Sequence, residues 1–134
     1  MDYSLLIFIQ IIIGLFFSIL FLQSGLDKVL NYRDNKSYID SVFEKTFLKS
    51  FSPLLFIGIL LLETAAGILC STGSIYYLLT QESIMLVIGL QLSVISLVCL
   101  FLGQRIAKDY AGAAGLVPYL ILGVFGIYLF GQAG

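Results

Sequence analysis

Four apolar stretches, Ser4–Ser24, Pro53–Thr72, Ser83–Gly103 and Ala113–Phe130, take up most of this 134-residue chain. Each is close to the roughly 20 helical residues needed to cross a hydrocarbon layer about 30 Å thick. A bilayer core offers no water to backbone N–H and C=O groups, so such stretches must close their hydrogen bonds internally, as helices. Only 11% of residues are charged and the mean hydropathy is +1.05, whereas about a quarter of the residues of a soluble domain are charged. The expected fold is therefore all-α: one integral membrane domain, residues 1–134, forming a four-transmembrane-helix antiparallel bundle. Any chemistry has to take place within the bundle, at its rims or on a partner.

All seven basic residues fall in two connections: Lys28, Arg33, Lys36, Lys45 and Lys49 in the first, Arg105 and Lys108 in the third. The residues before the first span, the second connection (Gly73–Glu82) and the tail (Gly131–Gly134) have none. The excess of Lys and Arg on one side places both basic connections in the cytoplasm and both termini outside. The first span has no basic residue ahead of it and is too long for a signal-peptide core, so it is expected to be retained.

The first connection, residues 27–52, carries Ile39, Val42, Phe43, Phe47 and Phe51 on one helical face and Ser41, Lys45 and Lys49 on the other. That pattern predicts an amphipathic interfacial helix lying on anionic headgroups or docking a partner. Ser37 and Asp40 are spaced like a capping box, and Ser52 is placed to cap a second span that opens on Pro53.

Glu63 lies inside the apolar run Pro53–Cys70. An ionisable group at that depth is costly and marks a functional site or an anchor. Ala66, Gly67 and Cys70 share its face, so the carboxyl is expected to look into the bundle. Burial would hold it neutral unless a cation reaches it, and Lys28 or Arg105 is the cation available. Counting about 1.5 Å per residue, Glu63 and Tyr119 lie at similar depth, and the phenol is expected to reach the carboxyl. Small-residue stripes predict close helix packing: Gln10, Gly14, Ser18 and Gly25 in the first span, Gly89, Ser93, Ser96 and Gly103 in the third, and Gly112, Gly115, Tyr119, Gly123 and Gly126 in the fourth, where Pro118 is expected to kink the helix. Gln91 lies on the opposite side of the third span from its stripe.

Without histidine the chain lacks the commonest haem, zinc and copper ligand, so no protein-ligated metal or cofactor is expected. Cys70 and Cys99 fall near opposite membrane faces, beyond the roughly 7 Å that a disulfide allows, and are expected to be free. Nothing in the charge pattern points to nucleic acid. With no internal repeat and one ionisable group at depth, a transporter is disfavoured.

Three segments, Leu20-Phe21-Leu22-Gln23-Ser24-Gly25-Leu26-Asp27-Lys28, Glu63-Thr64-Ala65-Ala66-Gly67-Ile68-Leu69 and Gln104-Arg105-Ile106-Ala107-Lys108-Asp109-Tyr110-Ala111-Gly112, resemble the DoxX and DoxX-like superfamily. The resemblance implies a small bacterial inner-membrane protein beside redox enzymes, with Gly25, Lys28, Glu63, Gly67 and Arg105 at recurrent positions. The cysteine pairs of disulfide-linked relatives are missing. Two functions are expected. One is a redox-associated subunit holding a quinone or similar apolar molecule near Glu63, Tyr119, Lys28 and Arg105. The other is a non-enzymatic subunit that helps assemble other membrane proteins.

Overall fold

A computed structural model describes residues 3–133, so Met1, Asp2 and Gly134, on which the expected placement of the termini partly rests, lie outside the described residues. Among the described residues six α-helices follow one another: α1 (Tyr3–Leu30), α2 (Tyr32–Phe43), α3 (Ser52–Thr80), α4 (Ile84–Ile106), α5 (Tyr110–Gly115) and α6 (Val117–Ala133). A single 3-10 turn, Lys49–Phe51, precedes α3. Helices α1, α3 and α4, and the segment Tyr110–Gly131 that joins α5 to α6, are each long and apolar enough to cross a membrane. Their outward faces are covered with Leu, Ile, Val and Phe, as contact with lipid requires. The molecule is an antiparallel four-helix bundle in which α3 packs between α1 and α4, and α6 closes against α4 and α1. All seven basic residues lie at or beyond one end, called here the basic end.

Small residues let the backbones meet. A Cβ on Gly67 would lie 2.7 Å from the backbone nitrogen of Leu22, one on Gly73 2.6 Å from that of Leu86, and one on Gly89 2.8 Å from that of Cys70. The stripe expected in the first span is buried throughout, at Gln10, Gly14, Ser18 and Gly25. In the last span the expected face is only half realised. Gly123 and Gly126 pack on Phe17, Val94 and Ile13, whereas Gly115 has open space beside it.

Several boundaries differ from those read in the sequence. Residues 73–80, expected in a loop, extend α3, because Gly73, Ser74 and Tyr77 are buried against neighbouring helices. The turn to α4 is then only Gln81, Glu82 and Ser83, and Gln81 takes the left-handed conformation (φ 62°) that stops the helix. The last span is broken at Leu116 rather than kinked. Pro118 has no N–H to donate, and its ring excludes the carbonyl one turn earlier.

The interfacial helix forms, but it ends at Phe43, so Phe47 and Phe51 do not share its apolar face and are exposed. No side chain caps its start at Asn31, and Ser37 lies in its interior. Asp40 accepts instead from Lys36 (3.1 Å) and from the buried Ser52 hydroxyl, which ties α2 to the first residue of α3. Those two hydrogen bonds, Ser52 first, hold the Asp40 carboxyl below its ordinary range. Being lowered, it contributes this tie above the ordinary carboxylate range and loses it as pH falls through the lowered value. Ser52 therefore does not act as a cap, while Pro53 occupies the first turn as expected.

Gly67→Ala is expected to lower stability in detergent unfolding by about 1–3 kcal/mol, because the added methyl meets backbone rather than a movable side chain. Gly115→Ala, with nothing within 4 Å, should leave the midpoint unchanged.

Candidate functional site

The contacts of α1 with α3 run in register from Gly14 against Ser74, through Leu22 against Gly67, to Gly25 against Thr64. Extending that register, α1 stops level with about Leu60, and α3 projects some 12 Å beyond it, two turns back to Ser52. Helix α2 folds back over this overhang. Phe43 is buried there with its ring edge 3.3 Å from where a Gly103 Cβ would stand, and Tyr32 packs edge-on against Phe56, centroids 5.2 Å apart.

At the foot of the overhang Lys28, two residues from the end of α1, reaches across to Glu63. Its Nζ lies 3.1 Å from Oε1 and 3.3 Å from Oε2, and donates to the Ser24 hydroxyl at 3.1 Å. Glu63 is 1% exposed and the Lys28 side chain 14%. The angle favours a hydrogen bond only at Oε2, so Oε1 feels the positive charge but keeps an unused acceptor. Lys28 thus supplies the cation that a buried carboxylate needs, and Ser24, one turn earlier on the same helix, steadies it.

Between α2, α3 and α4 this arrangement leaves a cavity of about 450 Å³. Its wall is mostly apolar, with Ile39, Phe43, Ile59 and Leu62 prominent, and its polar groups include Lys28 and Gln104. Asn35, Tyr38 and Asp109 line it as well, and the Gln104 Oε1 is buried with no hydrogen-bond partner among the described residues, so an ammonium, a carboxylate and amide groups interrupt a mainly apolar wall. Glu63 does not itself line the cavity but stands behind Lys28. A wider hollow of about 650 Å³ lies between residues 41–47 and 106–108. No buried polar group lines it, and it is not the candidate site.

Of the residues singled out in the sequence, the structure brings Lys28 and Glu63 together and separates the other two. The expected pairing of Tyr119 with Glu63 is not formed. Helix α6 packs on α4 and α1, and the Tyr119 ring rests against Phe16, centroids 5.8 Å apart. Equal depth did not mean adjacency, because α3 lies across the bundle from α6. Arg105 is also elsewhere, its guanidinium 4.3 Å from the Tyr110 ring centroid. Cys70 is buried and Cys99 exposed, both as free thiols. Gln91, unplaced by the sequence, faces outward.

A second polar cluster lies nearer the opposite end. The Tyr77 hydroxyl donates to Gln10 Oε1 at 2.6 Å, and Gln10 Nε2 donates to the Leu129 carbonyl at 3.4 Å. All three residues are buried, and the cluster joins α1, α3 and α6 with its polar atoms matched to one another. It reads as a structural clasp.

Compared with known proteins, the chain matches no family model, no curated protein and no solved structure.

Lys28→Met is expected to lower stability by about 3–5 kcal/mol, since it strands a buried carboxylate. The double variant Lys28→Met/Glu63→Leu should regain most of that loss, measured by the same unfolding assay in detergent.

Proposed function

We propose that this chain is a redox-associated membrane subunit that holds an apolar small molecule with a hydrogen-bonding head group, a quinone being the chemistry that fits best. The observation that carries the reading is Lys28 at the wall of a largely apolar cavity, with Glu63 paired to it from behind. A quinone carbonyl takes a hydrogen bond from an ammonium, a quinol hydroxyl gives one to an acceptor on a lining residue such as Gln104 or Asp109, and the tail needs an oily slot. Glu63, in contact with Lys28, is placed to exchange a proton with it. The resemblance to the DoxX superfamily supports the same reading, because Gly25, Lys28, Glu63 and Gly67 come together on one α1–α3 seam.

The runner-up is a non-enzymatic assembly subunit. It is favoured by the fact that the ion pair also pins the end of α1 to α3, an anchoring role that needs no ligand. In either case we place the protein in a bacterial inner membrane with its basic end in the cytoplasm.

Lipid extraction of the purified protein followed by mass spectrometry should recover a quinone. Gly58→Phe, at a lining position where an added Cβ meets nothing within 4 Å, should expel it without unfolding the bundle. Glu63→Gln separates the two readings: loss of redox activity with assembly intact favours ligand chemistry, and loss of assembly favours the anchor. For orientation, an impermeant thiol reagent applied from outside should label Leu78→Cys and not Lys36→Cys.

A further inference from the structure

Gln91 lies in α4 with apolar residues ahead of it from Ile84 and after it to Phe101, interrupted only by buried serines and Cys99. Its side chain is exposed on the outside of the bundle and has no hydrogen-bond partner among the described residues. It sits eight residues, or about 12 Å, past Ser83, where the turn from α3 ends, farther than its short side chain can recover. Gln23 is also exposed, but it lies where α1 turns polar through Ser24, Asp27 and Lys28, so water or headgroups can serve it. In hydrocarbon, nothing serves Gln91 except another protein.

The surface around it indicates which protein. Ile84, Ile88, Gln91, Ile95, Val98 and Leu102 follow one another at alternating spacings of four and three residues, and the five apolar members are 42–70% exposed. This is the a/d seam of a left-handed coiled coil, the crossing most common between membrane helices. Any outward stripe of an apolar helix shares the spacing, so the seam alone would select nothing; Gln91 within it does. Four of the five apolar members are β-branched, with side chains already fixed at χ1, so packing them costs little rotamer freedom.

We propose that α4 is a homodimer interface, with a second copy of this chain applied along this seam and the two Gln91 amides bonded to each other. Two copies in one membrane share an orientation, so their α4 helices run parallel about a twofold axis along the membrane normal, and equivalent residues meet. A primary amide carries both donors and an acceptor, so a Gln91 pair is self-complementary and can form two hydrogen bonds, which a Lys pair, having donors alone, could not.

Disulfide trapping in native membranes tests this in a Cys99→Ser background. Ile88→Cys and Val98→Cys should form covalent dimers on mild oxidation, and Ile19→Cys, on the outer face of α1, should not. Adding Gln91→Leu should lower the dimer association constant, read from trapping across a range of protein-to-lipid ratios, by about fivefold to thirtyfold, as expected for a hydrogen-bonded contact between membrane helices, while Gln91→Asn should retain it. Gln91 has no partner among the described residues of its own chain, so the Leu variant should keep the wild-type unfolding midpoint. Equal trapping at Ile19→Cys, or no effect of Gln91→Leu, would overturn the proposal. So would a native mass in lipid nanodiscs equal to one chain, or to one chain bound to a different polypeptide.

Discussion

A carboxyl group in a span-length helix has to be answered by something within a few ångströms, and in this protein the answer is Lys28. The lysine belongs to the last turn of α1, so meeting Glu63 fixes how far α1 can run alongside α3. Glycines on both sides of the pair, Gly25 against Thr64 and Gly67 against Leu22, allow the helices close enough for a lysine to reach without leaving its own helix. Removing either charge would leave the other uncompensated, so the pair acts as a unit.

From that register follows the overhang of α3, and from the overhang the cavity. Two turns of α3 and the end of α4 stand clear of α1, and an apolar surface of that size is covered by α2. The cover is attached by Asn35 to Asp27 of α1, by Asp40 to Ser52, by Phe43 against Gly103 and by Tyr32 against Phe56. A space roofed by a short helix in this way differs from a packed core, in which side chains interdigitate with few voids.

The bundle itself was legible because hydrocarbon leaves a chain few options, and the burial of Glu63 and of the α1 and α3 stripes followed from small residues recurring at helical spacing. The choice between Lys28 and Arg105 was not legible, since it depends on which helices are neighbours, and spacing within one helix carries no such information. For the same reason Tyr119 was matched to Glu63 by depth although its ring rests on Phe16 of α1 instead. Tyr77 and the last two turns of α3 were missed because Gly73 and Ser74 look like loop residues until Leu86 is seen packed against them. Gln104 gave no signal at all: the burial of its unpartnered oxygen follows from tertiary packing around the end of α4, which spacing along one helix does not encode.

The short turn at Gln81–Ser83 bears on how the chain enters a bilayer. Helices α3 and α4 touch backbone to backbone at Gly73 and Gly89, and their connection carries a single charge, Glu82. In the orientation proposed above the two can insert together as a preformed hairpin, and the charged side chain drawn through the acyl chains at its tip is one glutamate.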